Sequence, residues 1–197
     1  MNTDFASLSH IPLDTGTRYQ RPPNMSELVH VDNPAVEVMT NFEYVHAVTT
    51  RSDISIDDAL EHMKTRGVRL LLVVDQSERV IGLVTAKDIQ GEKPVKIAQE
   101  RGQPRNDISV AMIMTPQERI EALNMISVRS AQVGHIIETL NQIRRQHALV
   151  VEVDEKTNEQ RICGMFSTSQ ISKQLGYDVT RDTSAADSLA EISHELG

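Results

Sequence analysis

Residues 56–89, IDDALEHMKTRGVRLLLVVDQSERVIGLVTAKDI, change their apolar period from one short segment to the next. Ile56, Ala59, Leu60 and Met63 fall at helical spacing, with Asp53 or Ser55 placed to cap the start. Leu70 to Val74 is an unbroken apolar run, and its lack of alternation predicts a strand buried on both faces. Gln76 to Arg79 turn the chain into a second strand, Val80 to Val84, and a helix is expected to begin near Thr85. A short extended stretch, Val45 to Thr49, precedes the first helix. The unit reads β-α-β-β-α, an α/β (α+β) arrangement with helices on one side of a small sheet.

The same features return in the same order downstream. Val38-Met39-Thr40 recurs as Ile113-Met114-Thr115, and Ile56 to Met63 as Val133 to Leu140. Val73-Val74-Asp75 recurs as Val150-Val151-Glu152, and Gly82-Leu83-Val84-Thr85 as Gly164-Met165-Phe166-Ser167. The second copy is expected to open with an extended stretch at Met125 to Val128 and to start its last helix near Ser167. Two copies of one unit follow. The boundaries are an extended or disordered arm over 1–33, a first unit over 34–93 and a linker over 94–107 with a short helix. A second unit covers 108–176, and a tail covers 177–197. In the tail, Ala185, Leu189, Ile192 and Leu196 form one apolar stripe, a helix that needs a surface to lie on.

Composition narrows the function. Of 197 residues, 20 are Lys or Arg against 28 Asp or Glu, a net charge of −8, and only 3% are aromatic with no Trp. That surface argues against nucleic acid and anionic membrane as partners, since both need clustered basic charge. Cys163 is the one cysteine, so no internal disulfide forms and a reducing, cytoplasmic setting is expected. The opening Met1-Asn2-Thr3-Asp4-Phe5 shows no basic region leading into an apolar stretch, and no apolar run approaches a membrane span.

The repeated pattern, Met-Thr, then Ile56-Asp57-Asp58-Ala59-Leu60, then Val68 to Asp75, then Gly82-Leu83-Val84-Thr85-Ala86-Lys87-Asp88-Ile89, resembles the cystathionine-β-synthase (CBS) domain. A tandem of these is a Bateman module, and the resemblance covers about Val36 to Gly176. It implies two CBS units packed as a pseudo-twofold pair. It also implies a regulatory, non-catalytic role as a free-standing module that binds an adenosine-containing ligand, with AMP, ADP or ATP foremost. A homodimer and an unidentified regulated protein are implied as partners, and no cofactor. The alternative is an interaction or dimerisation scaffold with vestigial clefts.

In the family the Thr and Asp of Gly-x-x-Thr-x-x-Asp hold ribose and phosphate, which maps onto Thr85 and Asp88. A strand entering a helix start aims free N–H groups at an anion, and a carboxylate can accept from both hydroxyls of a ribose. The same spacing is also a capping box that needs no ligand. The second copy has Ser167 and Gln170 at these places, an equally good capping box that lacks the carboxylate. One good site and one weaker site are expected. By resemblance the base slot lies between His46 to Thr49 and Arg69 to Leu71. Val48 and Leu71 would be its walls, with Thr49 also counted among the ligand-binding residues, although both walls also read as ordinary core residues. Arg69 can meet phosphate or pair with Glu61 or Asp75, while His147 follows its counterpart Gln146 in the second copy. Lys87 reads as solvated, and the linker cations Lys93, Lys96, Arg101 and Arg105 are diluted by neighbouring acids.

No catalytic residue and no metal site is expected. The seven histidines never take metal-binding spacing, Cys163 has no partner cysteine, and no nucleophile elbow or phosphate-binding glycine loop occurs.

Overall fold

A computed structural model describes residues 11–15, 17–18 and 28–179. The tail stripe at Ala185, Leu189, Ile192 and Leu196 lies outside the described residues. The first unit contains β2 (Thr49–Arg51), α1 (Ile56–Arg66), β3 (Leu70–Val74), β4 (Val80–Thr85) and α2 (Ala86–Gln90), preceded by β1 (Thr40–Asn41). Next come α3 (Glu92–Arg101), α4 (Val110–Ile113) and β5 (Thr115–Pro116). The second unit has β6 (Ala122–Asn124), α5 (Met125–Ser130), α6 (Val133–Gln142), β7 (His147–Val153), β8 (Gln160–Ser167) and α7 (Thr168–Leu175).

Local chemistry explains the elements. Ser55 caps α1 by accepting from the Asp58 N–H at 3.0 Å, and Asp57 and Asp58 sit in its first turn, with Lys64 and Arg66 in its last. Gly67 ends it at φ +65°. Ile56, Ala59 and Met63 form its buried stripe. α3 stops at Gly102, again left-handed.

Two four-stranded sheets result, in the orders β2-β3-β4-β5 and β1-β8-β7-β6. The apolar run of β3 is buried throughout because its two faces serve two cores. Leu71 and Val73 point into a helical core with Ile56, Met63 and Ile89. Leu70 and Leu72 point the other way, against Leu149 of β7, and join the sheets face to face. The units share one register: Leu70 pairs with Thr85 as His147 pairs with Ser167, and each hairpin shifts register at the same place, Val73/Val74 and Val150/Val151.

The sheets exchange strands. The first Met-Thr segment supplies β1, which pairs antiparallel with β8 of the second sheet, and the second supplies β5, which pairs with β4 of the first. The flanking residues follow: Val29, Ala35 and Val38 are buried in the second unit's core, and Ile108, Val110 and Ile113 in the first's. Ala35 N–H donates to Ala131 O and Val110 N–H to Ile54 O, both at 2.9 Å, which ties each exchanged segment to its host.

Two expectations are corrected. The extended stretch at Met125 to Val128 is helical, because Asn124 caps α5 by accepting from the Ile126 N–H at 2.8 Å; the strand is displaced to Ala122–Asn124. The first unit's opening strand likewise begins at Thr49 instead of ending there.

Candidate functional site

Thr85 stands where β4 passes into α2. Its strand partner is Leu70, and the next N–H, of Ala86, donates to the Arg69 carbonyl at 2.9 Å, so the strand end is held from both sides. The capping box is formed. Thr85 Oγ1 accepts from the Asp88 N–H at 3.2 Å, while Asp88 Oδ2 accepts from the Thr85 N–H at 2.9 Å and from Thr85 Oγ1–H at 2.6 Å. Asp88 Oδ1 is left without a hydrogen bond among the described residues. The box thus orients the carboxylate and still leaves one oxygen to accept from a ligand. Because α2 spans only five residues, its dipole is small, and attraction for an anion here comes from side-chain cations instead.

Thr85 and Asp88 open on a cleft of about 580 Å³ between the units, within the range of about 300–1,000 Å³ usual for small-ligand sites. Leu70, Leu83 and Leu149 give it an apolar floor where the sheets meet. Its far wall is the turn between α6 and β7, Arg144 to His147, and its rim is the segment from Thr115 to Glu121 that follows the exchanged strand. Lys93 is anchored over this rim, its Nζ donating to the Ile113 carbonyl.

His147 is half-buried in this wall, on the same face of β7 as Leu149. Burial and the nearby Arg69 guanidinium push its pKa down to about 4, with Asp88 pulling the other way. The imidazole is therefore neutral at pH 7, and both charged groups that act on it belong to the first unit.

The anticipated residues separate into groups. Thr85, Asp88 and His147 meet in the cleft. Val48, Thr49 and Leu71 do not line it: Leu71 is fully buried in the helical core, Val48 packs against the same core, and Thr49 pairs with Leu72. Thr85 instead shares its cleft with the segment after β5, and the segment before β2 is not among the lining residues. Arg69 lines an adjoining cleft of about 710 Å³ with Lys64, and Lys87, Gly91 and Gln146 border both clefts.

In the second unit the expected capping box is not formed. The Ser167 hydroxyl is bonded to that of Ser169 at 2.8 Å, and the Gln170 amide donates to Gln174 at 3.1 Å. Missed from sequence were Arg119, Arg144 and Arg145, which line the cleft from across the pair. A hint was present in the repeat, where Arg144 stands at the place of Gly67.

Residues 35–92 match the family model described as CBS domain. Inosine-5'-monophosphate dehydrogenase of Yersinia pestis is 31% identical over 125 residues, 60% of this chain and 25% of that protein, so the chain spans about a quarter of that relative's length. An uncharacterized conserved protein of Pyrococcus horikoshii shares the fold, with a TM-score of 0.51 at 22% identity over 73% of this chain and 92% of its own. CBSX2 of Arabidopsis thaliana, solved in complex with AMP, is 19% identical with a TM-score of 0.47 over 72% of this chain and 93% of its own. Residues 35–92 are thus matched by sequence to the CBS domain, and the second unit reproduces that unit's strand order, register and exchange, as a tandem repeat of it would.

Proposed function

We propose that this chain is a non-catalytic regulatory module that binds an adenine nucleotide (AMP, ADP or ATP) in the cleft beside Thr85 and relays its occupancy to a partner protein. One observation carries the reading: the box turns Asp88 toward a cleft with an apolar floor and a cationic rim, and one carboxylate oxygen is left to accept from ribose. An apolar floor suits a base, and cations with a hydroxyl suit phosphate.

The cleft takes its walls from both units, so a ligand there favours one orientation of the pair, and the surface a partner meets changes with it. That shift is limited to the ligand's difference in affinity between the two orientations. Two copies associating as a homodimer in a reducing, cytoplasmic setting complete the reading.

A second reading, a scaffold with vestigial clefts, is favoured by the second tetrad, where Ser167 and Gln170 are turned to neighbours of their own. A thermal-shift series with adenosine, AMP, ADP and ATP separates the two. Saturation at about 100 times Kd adds about 2.7 kcal/mol, a rise of several degrees for this size. A rise that Asp88→Asn abolishes supports sensing, and no rise with any of the four favours the scaffold.

A further inference from the structure

The cleft of about 710 Å³ beside the nucleotide site has a chemistry of its own. Leu60 and Val68 are half-buried there over the buried Met63, and Ala86 continues the apolar surface onto α2. Lys64, Arg69 and Lys87 stand around it, and no Asp or Glu among the described residues lines it, in a chain of net charge −8. Lys64 is engaged by Glu61 at 2.6 Å, whereas Arg69 and Lys87 make no side-chain hydrogen bond or ion pair among the described residues. Complementarity asks for an occupant that is apolar on one face and acidic beside it.

The chain carries such a segment. Residues 180–197 contain one Arg against four acids, Asp182, Asp187, Glu191 and Glu195. Helical spacing sets Ala185, Leu189, Ile192 and Leu196 in one stripe, with Glu191 and Glu195 along one flank of it. A helix this short is marginal alone in water, so it needs a surface that matches both features.

The segment starts within reach. The described residues end at Val179, which is buried in the second unit's core and whose N–H donates to Ser172 Oγ at 3.0 Å. Ser172 lies four residues along α7 from Thr168, whose N–H donates to the carbonyl of Gln146 at 3.0 Å, and Gln146 borders the cleft. At the rise of an α-helix this puts Val179 on the order of 15 Å from that border. Extended chain from Val179 to Ala185 covers about 20 Å.

We propose that residues 183–196 dock as an amphipathic helix in this cleft of their own chain, the apolar stripe on Leu60 and Val68, and Glu191 and Glu195 paired with Arg69 and Lys87. This goes beyond the nucleotide reading and does not depend on it.

Hydrogen-exchange mass spectrometry of the full chain tests it. The chains compared are wild type, Ile192→Asp, the double variant Arg69→Glu with Lys87→Glu, and that double variant carrying Glu191→Lys and Glu195→Lys as well. Amides of residues 185–196 should exchange about tenfold or more slowly in wild type than in Ile192→Asp, whose buried charge releases the segment. Charge reversal in the cleft should remove that protection, and the reversed tail should restore it. Arg69 and Lys87 are exposed, so the fold survives their reversal, and unchanged protection of β3 and β7 checks this. A segment no better protected in wild type than in Ile192→Asp overturns the docking. Protection that survives charge reversal overturns the choice of cleft, and a reversed tail that restores nothing overturns the pairing. Protection that grows with protein concentration assigns the contact to a second copy and overturns docking within one chain.

Discussion

A Cβ added to Gly82 would lie 2.7 Å from the Thr115 carbonyl oxygen, and one added to Gly164 would lie 2.7 Å from that of Thr40. Each glycine lets an exchanged strand approach its host sheet, and the sulfurs of Met114 and Met39 close over the same two places. Gly82→Ala is expected to cost about 1–3 kcal/mol, the usual penalty of overpacking, read as a lower urea midpoint. It should also weaken nucleotide binding, because β5 leads into the cleft rim at Arg119 to Glu121. Gly164→Ala should cost similar stability. A Gly82→Ala chain as stable as wild type would show that β5 moves aside freely.

Asp88→Asn should retain most stability, since asparagine can still accept from the Thr85 N–H; a loss of under about 1 kcal/mol is expected. Nucleotide affinity should fall about tenfold or more, because one hydrogen bond to a charged acceptor contributes about 1.5–3 kcal/mol. Thr85→Ala removes both the cap and the hydroxyl, so stability and affinity should fall together. Chemical denaturation beside calorimetric titration separates the two behaviours.

His147 should make stability depend on acid. Its folded pKa of about 4 lies below the ordinary 6.5, so between these values the unfolded chain binds more protons. Stability from this group is full above pH 6.5 and is lost as pH falls toward 4, by at most about 3 kcal/mol. Urea titrations at pH 7, 6 and 5 should show a decline that His147→Leu flattens. An anion in the cleft favours the protonated ring, so ATP should bind more tightly as pH drops through this window while the chain remains folded.

Gly67→Ala should lower stability, and Arg144→Gly, where the native arginine sits at φ +50°, should not. The alanine is forced into a left-handed turn and should cost about 1 kcal/mol, although open space surrounds the position. Arg144→Gly relieves the same strain and should leave the thermal midpoint unchanged or raise it, offset in part by the freer unfolded chain. A clear drop with Arg144→Gly would mean that its side chain contributes to folding.

The β3 run and the α1 stripe were legible from sequence because both report local periodicity: an apolar pentapeptide between polar turns has few places to go but the interior. The Thr85–Asp88 box was legible for the same reason, since three residues of spacing decide it. Met125 to Val128 was misread because its apolar residues suit strand and helix alike, and the Asn124 side chain selects the helix. Ser167 and Gln170 carry the right spacing for a box, yet Ser169 and Gln174 compete successfully for their polar atoms.

By itself, then, the sequence determined two repeated units, the cap of the first unit's first helix and the one tetrad with a carboxylate, each of which depends on residues a few positions apart. The tertiary structure alone decided which sheet each Met-Thr strand joins, and therefore what Thr85 and Asp88 face. It also set the depressed pKa of His147, whose neighbours Arg69 and Asp88 come from the other unit. Strand pairing across the pair is a choice between distant backbones of nearly equal local preference. Only the close approach at Gly82 and Gly164, and the cores closed by Ile108 and Val29, give that choice its energy.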